Sequence, residues 1–488
     1  MAFVRLSFRQ VFLALLSFSL VVVGLPTGPK VNAETKQTKR PNVILVFIDD
    51  MGWGDFSSFG GQAVQTQHID RLAKEGLRFE QFYVNSPICS PSRAAISTGQ
   101  YPQRWQITSY LSNRRANDDR GMAQWLDLSA PMLVRSLHES GYATGHFGKW
   151  HLGGQRDVGE APLISEYGFD ESLTNFEGLG PRVLPLKDAY DGKPPQKHGL
   201  GSDNLGRGPI TWEDRSTITE TFCEAAVEFI KWADKRDQPF YVNLWPDDVH
   251  SPYFPPRARR GTNLRRDLYH AVLDTMDEQL GVLFDHVRQS PRLRDNTIIV
   301  VCSDNGPDVQ AGSAGPFRGM KATLFEGGIR SPLIVWAPGL IDPSQAGTTN
   351  DESVFSAIDL VPSLLDLTGT ERPAGVEFDG EPLSKVLLGQ SNESRSKPIF
   401  FRRPPDRKRF QQYNHLPDLA VRHRQWKLLC DYDGDRVELY DVVSDPGESQ
   451  NLAADNPEVA QQLKTQLLKW HESMPADNGP QFKPKKRK

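Results

Sequence analysis

Cysteine is scarce in this chain: Cys89, Cys223, Cys302 and Cys430 are the four among 488 residues. That excludes a disulfide scaffold and leaves room for at most one or two bridges. Charge of one sign is also lacking, since 57 basic and 61 acidic side chains give a net charge of −4. No nucleic-acid partner is expected from such a balance. The local exception, "KPKKRK" at the C-terminus, reads as part of a solvated basic tail over residues 477–488. Long hydrophobic runs are missing too, with one exception. "VFLALLSFSLVVVGL" follows Arg5 and Arg9 and precedes "VNA", ending at Ala33. This is the pattern of a secretory signal peptide over residues 1–33, cleaved near Ala33. No later stretch approaches the roughly 20 apolar residues of a membrane span. The mature chain is therefore expected to be secreted or periplasmic, with no stable membrane anchor. No internal repeat is visible.

What is present is a series of short apolar runs that end in polar clusters. "NVILVFIDD" ends in Asp49 and Asp50, "FYVNLWPDDVH" in Asp247, Asp248 and His250, and "NTIIVVCSDNG" in Asp304 and Asn305. "GYATGHFGKWH" is less apolar and leads into Lys149 and His151. Runs without alternation suit strands buried on both faces of a parallel sheet. Helical patterns separate them, in "APMLVRSLHESG", "TITETFCEAAVEFIKWADK" and "LYHAVLDTMDEQLGVLFDHVRQS". The expected fold class is α/β, a large mostly parallel sheet flanked by helices. Ligands bind such sheets beyond the carboxyl ends of the strands, where these polar clusters fall. Residues 176–215, rich in Gly and Pro, read as a long excursion near the site. After "FSAIDLVPSLLDLTG" and a Pro-rich linker, residues 396–476 read as a smaller α+β unit. It comprises two or three short antiparallel strands with a turn at Asp433–Gly434, then a terminal helix.

Asp49, Asp50, Asp304 and Asn305 are oxygen donors of the kind a hard divalent cation prefers. Individually they serve equally well as helix caps and turn residues. Together at two strand ends they point to a metal, and calcium over zinc because no Cys or His accompanies the oxygens. Lys149, His151, His250 and Lys321 supply a cationic counterpart suited to an oxyanion. His138 and His146 read as structural. Cys89 opens "CSPSRAAIST", a helix start with Pro91 in its first turn and Arg93 one turn on. A helix N-terminus beside an arginine is expected to lower the thiol pKa. The tyrosine phosphatase loop is excluded, because it needs five residues between Cys and Arg.

With these motifs the chain resembles the sulfatase family. "CSPSRAAISTG" matches that family's Cys-x-Pro-Ser-Arg signature followed by Thr-Gly. "IDDMGWGD", "GKWHLG", "SDNG" and "GMKATLFEGGIRSP" match in the same order, and "RQWKLL…ELYDVVSDPGESQNLA" looks like the second domain. The resemblance implies an alkaline phosphatase-like fold, with a catalytic α/β domain over 41–370. It implies that a formylglycine-generating enzyme oxidises Cys89 to formylglycine, which acts as its hydrate. It further implies one calcium ion on Asp49, Asp50, Asp304 and Asn305, with modified Cys89 close by. Arg93 and Lys149 would hold and activate the hydrate, and Lys321 would contact sulfate oxygens. His250 would bind sulfate or protonate the leaving group, and His151 would assist breakdown of the covalent intermediate. The approach to His250, "PDDVHSPY", is longer than relatives often have.

The chemistry asks for such a nucleophile. General acid–base help contributes about 10²–10⁴-fold, while enzymes commonly need about 10⁶ or more. A hydrated aldehyde has one hydroxyl to attack sulfur and a second whose deprotonation expels sulfate. The expected activity is therefore hydrolysis of a sulfate ester, that of a sulfated carbohydrate, given export and the long excursion. The alternatives are an arylsulfatase for small substrates, a phosphomonoester or phosphonate hydrolase of the same fold, and a non-catalytic glycan-binding relative. Asn392 in "NES" fits a glycosylation acceptor in a host that glycosylates.

Overall fold

The computed structural model of the protein describes residues 39–405 and 416–479. The signal peptide and residues 480–488 of the basic tail lie outside the described residues. Twelve strands form one large sheet. In chain order they are β1 (Asn42–Ile48), β2 (Leu77–Tyr83), β3 (Ala143–Gly148), β4 (Glu171–Thr174), β5 (Arg182–Lys187) and β6 (Gln196–Lys197). They continue as β7 (Ile210–Asp214), β8 (Phe240–Trp245), β9 (Thr297–Ser303), β10 (Arg330–Trp336), β11 (Thr349–Asn350) and β12 (Phe355–Ser356).

The sheet order is β11-β2-β10-β9-β1-β8-β3-β4-β5-β6, with β12 beside β2 and β7 beside β5. All residues of β1 are buried, because helices cover both faces. Val43, Leu45 and Phe47 point into one core layer with the helices Cys89–Thr98 and Ala357–Thr368. Ile44, Val46 and Ile48 point into the other, with the helices Ile218–Asp234 and Arg265–Gln289. This two-residue alternation between two apolar layers is why the run shows no polar face.

Three features add to or adjust the sequence reading. The 176–215 excursion holds β5, β6 and β7, which widen the sheet. Strand β10, apolar like its neighbours, runs antiparallel to both β9 and β2. The C-terminal region holds four antiparallel strands rather than two or three: β13 (Ile399–Arg402), β14 (Leu419–His423), β15 (Trp426–Cys430) and β16 (Glu438–Asp441). The Asp433–Gly434 turn does join β15 to β16, with Gly434 at φ 81°. The terminal helix Pro457–Ser473 packs Leu463, Leu467 and Trp470 on this sheet.

The small sheet is riveted to the large one by a buried charge cluster. Lys427 on β15, fully buried, reaches Glu326 Oε1 at 3.0 Å and Glu448 Oε1 at 2.9 Å. Glu448 Oε2 also accepts the Glu326 backbone N–H at 2.7 Å. Among the described residues no helix is long and apolar enough to cross a membrane.

Candidate active site

Parallel pairing sets the site. Ile48 stands opposite Ser303, and Gly148 opposite Trp245, so the segments that follow β1, β9, β3 and β8 leave the sheet side by side. The turn after β3 requires glycine: Gly148 has φ 121°, and a Cβ there would fall 1.9 Å from the Trp245 carbonyl oxygen. That carbonyl accepts the Lys149 N–H at 2.7 Å, which starts the turn carrying Lys149 and His151.

The structure brings the oxygen donors together as the sequence suggested. Ligand atoms of Asp49, Asp50 and Asp304 all lie within 4.8 Å of one another, and all three residues are buried. They are not left to repel, however, because each has its own cation. Lys149 Nζ is 2.6 Å from Asp49 Oδ2, and Arg93 Nη2 is 2.9 Å from Asp304 Oδ2. Lys321 Nζ lies 2.5 Å and 2.6 Å from the two oxygens of Asp50. Asn305 donates to Asp50 Oδ1 at 2.8 Å. Two buried oxygens of these residues, Asp49 Oδ1 and Asn305 Oδ1, have no hydrogen-bond partner among the described residues. Buried acceptors are seldom left so, and an oxygen-preferring cation is the group these residues fit. Burial, with the Asp49 and Asp50 charges behind it, pushes the Asp304 carboxyl up to about 8. Asp49 goes the other way: burial opposes ionisation, but Lys149, His250 and Arg93 outweigh it.

Cys89 is the first residue of the helix Cys89–Thr98, every residue of which is buried. Its N-cap is Ile88, with no side-chain cap bond. The lowered thiol pKa expected of a helix N-terminus is not found. Burial pushes the Cys89 thiol up to about 12 despite Lys149 and Lys321, because desolvating a thiolate costs more than those charges return. An unmodified thiolate nucleophile is therefore disfavoured. All four cysteines are buried and unpaired. Arg93 donates through Nη1 to the Lys149 carbonyl at 3.0 Å and lies over the Trp245 ring at 5.3 Å.

His250 stands at the mouth. Its Nδ1 is 2.6 Å from the Ser251 carbonyl oxygen, so Nδ1 carries the proton, and its Nε2 is 3.6 Å from Asp50 Oδ2. His151 Nε2 is 2.9 Å from the Leu111 carbonyl oxygen. His151 Nδ1 faces a residue that sequence reasoning missed: Glu177 Oε2 lies 3.1 Å away and also 3.1 Å from Lys149 Nζ. Burial opposes ionisation of Glu177, yet His151 and Lys149 hold its carboxyl at about 2. Asp247 and Asp248, which end their run as Asp49 and Asp50 do, stay out of the acidic cluster. They pair with Arg215 at 3.6 Å and 2.8 Å. Asp247 also reaches Lys149, at 4.0 Å, and the Asp248 carbonyl accepts the Asp49 N–H at 3.2 Å. Cys89, His151, His250 and Lys321 open onto a cleft of about 270 Å³, whose far wall includes Phe176 and His198 from the excursion.

A wide, mostly parallel sheet with an acid- and cation-lined cleft at its strand ends defines an ester hydrolase of the alkaline phosphatase-like fold. Residues 41–370 match the sulfatase family, and residues 318–473 match the C-terminal region of N-sulphoglucosamine sulphohydrolase. The chain belongs to the sulfatase family and is a sulfuric ester hydrolase. It is 32% identical over 376 residues to N-acetylgalactosamine-6-sulfatase of Canis lupus familiaris, covering 74% of this chain and 68% of the relative. It is 28% identical over 526 residues to N-acetylgalactosamine-6-O-sulfatase of Bacteroides thetaiotaomicron, covering 91% and 96%. The crystal structure of Ps i-CgsB in complex with k-i-k-neocarrahexaose superposes with a TM-score of 0.71 at 26% identity, covering 88% of this chain and 93% of that one.

Proposed function

We propose that the protein hydrolyses a sulfate ester of a sulfated carbohydrate, with Cys89 converted to formylglycine and one calcium ion held by Asp49, Asp50, Asp304 and Asn305. The observation that carries this reading is the buried cluster of Asp49, Asp50 and Asp304, whose Asp50 lines the same cleft as Cys89, with Asp49 Oδ1 and Asn305 Oδ1 lacking a hydrogen-bond partner among the described residues. The carbohydrate part rests on relatives whose names specify N-acetylgalactosamine sulfate and on the oligosaccharide complex. When bound, the ion supplies positive charge to the sulfate oxygens, and the hydrated aldehyde supplies an oxygen nucleophile.

The chain's own residues do the rest. Arg93 and Lys149 are immobilised cations that hold residue 89 and its charge. Lys321, on the cleft wall, can turn its ammonium from Asp50 toward a sulfate oxygen. His250, with its proton fixed on Nδ1, presents Nε2 to take or give a proton at the bridging oxygen. His151 handles a proton at Nδ1, the nitrogen that Glu177 faces. In this reading residues 41–370 are the catalytic domain and 396–476 its smaller partner. A formylglycine-generating enzyme acts on the chain during export, after which the signal peptide over residues 1–33 is removed and the enzyme is secreted or periplasmic.

The test has two arms. Mass spectrometry of the tryptic peptide ending at Arg93 is expected to show the Cys89 sulfur replaced by a carbonyl oxygen. A panel of sulfated sugars against an aryl sulfate is expected to give the higher kcat/KM for a sugar. Full activity with Cys89 intact, or turnover of the aryl compound alone, sinks the corresponding half.

A further inference from the structure

Among the described residues, one cation that lines the cleft makes no hydrogen bond or salt bridge of its own. Lys149, Arg93 and Lys321 each face a carboxylate of the acidic cluster, and Arg215 faces Asp248. The acids on the cleft wall are equally committed. Asp50 holds Lys321, Glu177 holds Lys149, and Asp308 holds Arg265 while accepting from Tyr253 Oη at 2.6 Å. Arg156 also lines the cleft, yet its guanidinium makes no hydrogen bond or salt bridge with any described residue. Its charge is nonetheless felt by Glu177 and by His198.

Arg156 is presented by built structure. It takes a left-handed φ of 58°. The excursion presses on it at Gly201, where a Cβ would lie 2.9 Å from the Arg156 carbonyl oxygen. Beside it, His198 packs edge-on to Phe176 with centroids 5.4 Å apart. Burial pushes the His198 imidazole down to about 4, so that ring offers a hydrogen bond rather than a charge. An aromatic corner of two nearly perpendicular rings, beside a guanidinium with no hydrogen-bonded partner among the described residues, suits a sugar ring that carries an anion.

We infer that Arg156, with Phe176 and His198, forms a subsite for a second anionic group on the substrate, a uronate carboxylate or a further sulfate outside the reacting ester. This inference rests on the sulfated-carbohydrate reading above. It makes the enzyme selective for polyanionic glycans over neutral sugars bearing one sulfate.

The experiment uses the matured enzyme, its Arg156→Ala, Arg156→Lys and Arg156→Glu variants, and three substrates. These are an aryl sulfate, a monosulfated neutral sugar, and the same sugar bearing a second sulfate or linked to a uronate. The wild type is expected to favour the doubly anionic sugar over the monosulfated one in kcat/KM. Arg156→Ala should shrink that preference by about 10–100-fold, mainly through KM, which is the worth of a hydrogen bond to a charged group. Arg156→Lys should restore part of it, and Arg156→Glu should invert it. A wild type without the preference, or a preference that survives in Arg156→Ala and Arg156→Glu, overturns the subsite while leaving the carbohydrate reading intact. Turnover of the aryl sulfate alone overturns both.

Discussion

His146 offers a quantitative test of the site's floor. Its ring is fully buried on β3, with the rings of Trp150, Trp245 and Phe169 at 5.2, 5.3 and 5.5 Å. Its polar contact is Nε2 to the Gly148 carbonyl oxygen at 3.3 Å. The Trp245 ring that it touches also lies beneath Arg93. Burial, with the Arg93 charge adding to it, pushes the imidazole from 6.5 down to about 3. In the unfolded chain the ring takes up its proton as the pH falls through about 6.5, while in the fold it stays neutral until about 3. Acid therefore favours the unfolded chain, and the loss begins near 6.5 and is complete near 3. At about 1.4 kcal/mol per pH unit, the group contributes a destabilisation of roughly 1.4 kcal/mol at pH 5.5 and about 2.7 kcal/mol at pH 4.5. For a chain of this size that is a shift in Tm of about 3 °C at pH 4.5. The perturbation is His146→Phe, whose side chain is neutral at every pH. The assay is the gap in Tm between variant and parent at pH 7.5, 5.5 and 4.5. Whatever the gap at pH 7.5, it should move by about 3 °C in the variant's favour on acidification, because the other titrating groups are common to both proteins. A gap independent of pH would refute the reasoning.

Four further outcomes are expected. A chelator should lower Tm and abolish turnover, and calcium at a thousand times its Kd should restore about 4 kcal/mol of stability; unchanged melting in chelator would remove the ion from the account. Lys321→Met should reduce kcat/KM by about 10²–10³-fold, the usual effect of deleting one donor to a developing oxyanion, as steady-state kinetics will show. Glu177→Gln should lower kcat by about 10–100-fold through misplacement of Lys149 and His151, with a changed kcat–pH profile and little change in KM. Lys427→Met should cost about 3–5 kcal/mol by leaving buried acids unpaired, measured by denaturant unfolding.

The central strands were legible because their burial is two-sided. The run of β1 has no polar face, and the acids that follow it fall where ligands bind such sheets. Direction was not legible in the same way. The apolarity of β10 reports that it is covered, and nothing in "SPLIVWA" reports that it runs against β9. The strands β5 to β7 were missed for a different reason. They lie toward the edge of the sheet in a Gly- and Pro-rich stretch, and the two residues of β6 are exposed, so no hydrophobic period marks them. Within the site, charge type and strand-end position located the metal-ligand candidates and their cations. Glu177 carried no such signal, being one acid in an aperiodic loop. The Cys89 thiol was misjudged because a helix N-terminus was weighed without its depth. Ten consecutive buried residues reverse the direction that the helix end alone suggests.

The Lys427 cluster has a consequence for how the chain can be cut. Glu326 lies five residues beyond Lys321, so the strand that carries Lys427 also tethers the loop that delivers an ammonium to the cleft. Trimming the polypeptide at residue 370, as a minimal catalytic fragment would invite, deletes both Lys427 and Glu448 and leaves Glu326 without either contact. The C-terminal sheet is in this sense a distant wall of the reaction chamber, and neither half is expected to work as a detachable module.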